Sequence, residues 1–250
     1  GLVAFGLGRV LGKVHADSIT LGATRAAVLL GVAALVLRRH GGERTLSGAI
    51  GLRPTQKGLT WLSLGLGAVL VIPYAELVAF VDARFPPSEI ALIARALAVR
   101  AEQPNLLFLG VLASVCLRPL AEEVLFRGAL FGPLLRAAGA VTAIGLSAVA
   151  FALASFEPRS MPALLLLGAM LGLTRAASGS LIPGVALHVA FAATWTFARV
   201  MGVADLSGKL SLAPAARIMA WLIAAVFAYA VTWVAQNSEE AERAREEDAT

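Results

Sequence analysis

Charge is scarce in this sequence. Asp, Glu, Lys and Arg make up 15% of its 250 residues, against roughly 25% in a soluble globular domain. Its one cysteine, Cys116, excludes an internal disulfide and, lying in an apolar run, says nothing about redox compartment. No Lys/Arg-rich run with interleaved aromatics is present, which argues against a nucleic-acid partner. Soluble stretches long enough for a second domain are missing, as are low-complexity linkers. No convincing internal repeat is visible, which counts against inverted-repeat transporter folds. The opening residues carry no signal-peptide pattern.

What is abundant is hydrocarbon. Hydrophobic residues reach 58% and the mean hydropathy is +0.80. Apolar stretches of about 20 residues follow one another with short polar joins, the pattern of a polytopic helical membrane protein. The expected fold is an all-α membrane bundle of about seven to eight helices, a single domain over 1–250, with an intramembrane polar site. The net charge of +5 sits in loops and at helix ends, where the positive-inside bias places it.

The first apolar run spans Ile19 to Leu37 and stops at Arg38-Arg39-His40-Gly41-Gly42. Arg38, Arg39, Arg44, Arg53 and Lys57 face a single acid, Glu43, in the following loop, which predicts a cytoplasmic loop. A second run covers Gly58 to Val81. Beyond the breaker Pro86-Pro87-Ser88, residues 88–101 are amphipathic and read as an interfacial helix on the outer face. An apolar run from Pro104 to Leu117 leads into a helix from Pro119 to Ala137. Spans at Val141–Phe156, Pro162–Arg175, Leu181–Val200 and Pro214–Gln236 follow. Residues 238–250 read as a charged, disordered, cytoplasmic tail. Glu76, beside Pro73 and Tyr74, reads as an interfacial carboxylate.

Ionisable groups at membrane depth are costly, so each one is a candidate for function. They concentrate in Leu120-Ala121-Glu122-Glu123-Val124-Leu125-Phe126-Arg127-Gly128. On a helix Glu123 and Arg127 are i and i+4 in the favourable acid-first order, which suits a packing ion pair. Glu122 is turned away by about 100° and projects elsewhere, free to act as a general base for water. Arg118, four residues before it, offers a purely structural neutralisation instead, and for Glu122 both roles stand. His188 lies one to two turns inside a later apolar helix; alone it reads as a satisfied core residue. A zinc site normally draws three or four His, Cys or carboxylate ligands. Glu122, Glu123 and His188 are a thin set, so neither a metal nor another cofactor is predicted.

Glu122-Glu123-x-x-x-Arg127-Gly128 on a membrane helix resembles the first motif of the CPBP family, the CAAX protease and bacteriocin-processing membrane peptidases. Ile50-Gly51-Leu52-Arg53-Pro54 before the second span is similar to that family's Gly-Leu-Arg segment. Gly168-Ala169-Met170-Leu171-Gly172-Leu173, then Gly179-Ser180-Leu181-Ile182-Pro183 leading to His188, resembles its closing region. The likeness covers residues 46–195 and is most specific over 117–190. It implies an all-helical intramembrane endopeptidase in which Glu122 activates water, Glu123 and Arg127 support it, and His188 stabilises the oxyanion. It further implies a bacterial cytoplasmic membrane, no metal, and a membrane-associated or prenylated peptide or protein substrate.

Two positions depart from the family pattern. The family's Phe-x-x-x-His, which helps orient the water, reads Phe151-Ala152-Leu153-Ala154-Ser155 here. Its His-x-x-x-Asn reads His188-Val189-Ala190-Phe191-Ala192. Serine cannot take up a proton at neutral pH, and alanine offers an oxyanion nothing. A catalytically degenerate member that binds or scaffolds a membrane partner, for example in bacteriocin immunity, is therefore the alternative expectation.

Overall fold

In the computed structural model the described residues are 23–39, 48, 50–88, 104–155, 157–203 and 212–247. All regular structure among them is helical. Helix α1 covers 23–39; α2 (Lys57–Val69) and α3 (Val71–Arg84) follow. Next come α4 (Pro104–Leu112), α5 (Arg118–Glu123), α6 (Phe131–Ala154), α7 (Met161–Ser178), α8 (Ile182–Val200) and α9 (Pro214–Glu247).

Four segments are long and apolar enough to cross a membrane: Lys57–Arg84, Phe108–Ala154, Pro158–Ser178 and Pro214–Val234. They mark an integral membrane protein. The second has 47 residues, about 70 Å of helix against a hydrocarbon core of about 30 Å. It breaks at Gly139, where φ is 79° and ψ 173°, a backbone state that favours glycine. The break falls between the two spans expected to end at Ala137 and begin at Val141.

Two expectations change. The run Leu181–Val200 forms α8 but is not among the four segments; His188 and Arg199 dilute its apolar character. The charged tail, expected to be disordered, continues α9 as helix through Glu247. No Gly or Pro follows Pro214, and the Ala, Glu and Arg of this stretch are strong helix formers. The interfacial helix over 88–101, the segment 1–17 and most of the basic loop after Arg39 lie outside the described residues.

Two wide π turns, Ala113–Leu117 and Val124–Leu130, flank α5. Each ends two or three residues before a proline, Pro119 or Pro133. Proline lacks the N–H of the normal ladder and its ring crowds the carbonyl four residues back, so a widened turn lets the helix continue. At the first turn the Arg118 N–H reaches back to the Ala113 carbonyl. The helix carrying the glutamates is thereby bracketed by irregular turns.

Helices pack through small residues, as membrane helices do. A Cβ at Gly168 would stand 2.9 Å from Ala148 Cα, and one at Gly172 3.3 Å from Ile144 Cα, so α6 and α7 meet backbone to backbone. Gly67 of α2 likewise lies directly against the Leu187 carbonyl of α8. Leu59, Leu66, Leu167, Leu171 and Leu187 fill the interior. Ile218, Leu222, Val226, Tyr229 and Trp233 of α9 face outward, which suits lipid. At Glu76 of α3, Arg217 and Trp221 both donate to the carboxylate and clamp α9 to α3. This exposed cross-helix contact is the place of the carboxylate read as interfacial.

Candidate active site

Among the described residues, and Asp82 apart, the buried charge is concentrated at one point. Glu122, Glu123 and Arg127 are 1%, 0% and 0% exposed. Glu123 Oε1 accepts from Arg127 Nη1 at 3.0 Å, the i,i+4 pair the spacing predicts. The second arm of the guanidinium, Nη2, donates to the Gly168 carbonyl of α7 at 2.8 Å. Arg127 therefore ties the glutamate helix to α7 with its planar fork, a task a lysine ammonium cannot share out in the same way. Its Cζ lies 4.9 Å from the Phe151 ring centroid, within cation–π range. Arg175 of α7 returns the contact, Nε donating to the Arg127 carbonyl at 3.1 Å.

Glu122 is not free, as projection along a single helix suggests. Its Oε1 accepts from Arg118 Nε at 2.9 Å and from Arg25 Nη2 at 3.1 Å. Arg118 is the structural partner that spacing predicts. Arg25 is one that spacing misses, although an arginine inside an apolar run is itself the signal. The other oxygen, Oε2, is buried with no hydrogen-bond partner among the described residues, and it lies 3.6 Å from His188 Nε2.

His188 joins the two carboxylates. Its Nδ1 is 3.1 Å from Glu123 Oε1, so the imidazole stands between Glu123 on one nitrogen and Glu122 on the other. Phe151 packs edge-on against the ring at 5.6 Å and also against Phe126 at 5.6 Å, closing the apolar side. Glycine makes the room on α8: a Cβ at Gly184 would come within 3.1 Å of Glu123 Oε2, which is itself buried and unpartnered among the described residues. The structure thus brings Glu122, Glu123, Arg127, His188 and Phe151 together.

The two divergent positions stand differently. Ser155 closes α6, its Oγ donating to the Ala152 carbonyl at 2.7 Å and accepting the Glu157 N–H at 3.2 Å. Its hydroxyl is thus engaged with its own helix end. Ala192, half-buried one turn after His188, carries no polar atom on its side chain.

The segment before α2 laces onto the same region. The Leu181 N–H donates to the Gly51 carbonyl at 2.9 Å, and Ser180 Oγ donates to the Arg53 carbonyl at 2.8 Å. Ile50 lies against Gly128, whose added Cβ would be 3.2 Å from Ile50 Cβ. Three stretches far apart in sequence, around 50–53, 122–128 and 179–188, are in this way one structural unit.

Residues 104–194, which hold both glutamates, Arg127 and His188, match the family described as type II CAAX prenyl endopeptidase Rce1-like. Neither a curated protein nor a solved structure matches the chain. With the motif order and the buried Glu–His–Glu cluster, that match makes residues 104–194 similar to this family, and consistent with the CPBP family of intramembrane peptidases.

Proposed function

We propose that this protein is an intramembrane endopeptidase in which Glu122 activates water. The observation that carries the reading is the asymmetry of its carboxylate. Oε1 is occupied by two guanidiniums, while Oε2 is buried, unpartnered among the described residues and turned toward His188 Nε2. At 3.6 Å, Oε2 and Nε2 are both within hydrogen-bond reach of a single oxygen placed beside them. Glu122 Oε2 takes a proton from that water as its oxygen attacks the scissile carbonyl carbon. His188 acts with both ring nitrogens protonated, Nδ1–H held by Glu123 and Nε2–H donating to the oxyanion that forms. Glu122 then delivers its proton to the departing amine as the C–N bond breaks. Glu123 and Arg127 hold the imidazole from behind.

The chemistry of the donors favours a reaction without a metal. Both His188 nitrogens face carboxylates, and Arg25, Arg118 and Arg127 already place three guanidiniums on two of them. A divalent cation there would meet like charge. The substrate is a membrane-associated or prenylated-type peptide or protein. On our reading the membrane is a bacterial cytoplasmic one, crossed by a bundle of about seven to eight helices with the charged C-terminus on the cytoplasmic side. In reconstituted liposomes, an internally quenched farnesylated peptide ending in a CAAX sequence is cleaved by the wild type and not by Glu122→Gln. Equal cleavage by both sinks the reading.

A second reading, a binding or scaffolding protein that has lost the reaction, is favoured by Ser155. Its hydroxyl engages backbone groups beside it, at the position where the family places a histidine. Restoring both partners with Ser155→His and Ala192→Asn, and seeing cleavage arise where the wild type has none, supports this reading. Cleavage by the unmodified protein ends it.

A further inference from the structure

Arg25 lies on α1, outside the segment that matches the family. Its helix is docked by one face. Ala26 and Ala33 are buried, and Leu29, Val36 and Leu37 pack against the core. Arg25, Leu29, Ala33 and Val36 recur at helical spacing, so the same stripe that docks α1 presents the guanidinium inward. The side chain is 26% exposed and reaches a carboxylate that is 1% exposed.

The two arginines on Glu122 are not equivalent. Arg118 belongs to the same helix as Glu122, four residues before it, in the basic-first order that is the weaker one for such pairs. It moves with the glutamate and cannot fix it relative to its surroundings. Arg25 comes from a different helix 97 positions away and anchors Glu122 Oε1 to the bundle. His188 stands on the Oε2 side. The carboxylate is held at one oxygen between α1 and its own helix, and the other oxygen is directed at α8.

We propose that Arg25 is a positioning residue of the active site, orienting Glu122 so that Oε1 is occupied and Oε2 is the working oxygen. The proposal rests on the endopeptidase reading for its catalytic consequence, but not for its geometry. The site then includes α1, and the complete reaction centre extends beyond residues 104–194.

The test uses the full chain in liposomes with two readouts. With the farnesylated quenched peptide, Arg25→Gln lowers kcat by about 10- to 100-fold, the loss of one charge-assisted hydrogen bond in the reacting geometry, with KM within about threefold. Arg25→Lys, which keeps the charge, stays within about threefold of wild type in kcat. A rise in KM without a fall in kcat, or equal losses for Lys and Gln, overturns the proposal. The second readout needs no turnover. Dicyclohexylcarbodiimide, an apolar carboxyl reagent, labels Glu122 several-fold faster in Arg25→Gln than in wild type, scored by peptide mass spectrometry. Unchanged labelling overturns the proposal. If Arg25→Gln does not fold, Arg25→Lys decides: wild-type labelling and kcat support it, and a tenfold loss of kcat in the folded protein overturns it. Absence of wild-type cleavage removes the endopeptidase reading, while the labelling still reports on Arg25.

Discussion

Glu123 Oε1 and His188 Nδ1 lie 3.1 Å apart, although 65 positions separate them in the chain. The same oxygen accepts from Arg127 Nη1. With Nδ1 held at Glu123, the opposite ring nitrogen, Nε2, is directed at Glu122 Oε2. Adjacent glutamates thereby acquire unlike tasks, Glu123 holding the imidazole and Glu122 facing it.

Exchanging members of the cluster one at a time separates those tasks. Glu123→Gln is expected to cut cleavage by roughly 10- to 100-fold, the loss of a charge-assisted hydrogen bond. His188→Ala, which removes the proposed oxyanion donor, is expected to cost about 10²–10³ in kcat. Glutamine at 123 costing more than alanine at 188 in the peptide assay would overturn the assignment.

Arg127 is the structural keystone of the cluster. Arg127→Met leaves the fully buried Glu123 without its guanidinium, and removing one partner of such a pair typically costs about 3–5 kcal/mol. A large drop in the thermal unfolding midpoint in detergent is the expected result. Arg127→Lys should also lower it, because Glu123 Oε1 and the Gly168 carbonyl are served by two arms of one fork. A midpoint unchanged in Arg127→Lys would show that the fork is not required.

Two glycines divide stability from site geometry. Gly168→Ala pushes a Cβ to 2.9 Å from Ala148 Cα, which backbone can relieve only by moving α6 from α7; overpacking of this kind costs about 1–3 kcal/mol. Gly184→Ala meets only the carboxylate end of Glu123, at 3.1 Å. The first should lower the unfolding midpoint. The second should leave it within a few degrees and reduce cleavage at least tenfold through displaced Glu123. The opposite pattern in a paired melting and activity measurement would contradict this packing of α6, α7 and α8.

The sequence alone determined the solvent, the all-helical class, the Glu123–Arg127 pair and the break near residue 139. These follow from composition and from spacing within one helix, where 3.6 residues per turn places side chains without knowledge of any neighbour. Only the tertiary structure decided what Glu122 touches. Its freedom is a fair projection from one helix, yet Arg25 reaches it from 97 positions away. The placement of His188 between the carboxylates is also a matter of how α8 packs, as is the turning of Ser155 to its own helix end a matter of where α6 stops. Spacing within a helix records local geometry, whereas the contacts that set a carboxylate's environment come from whichever helices the small-residue packing brings beside it.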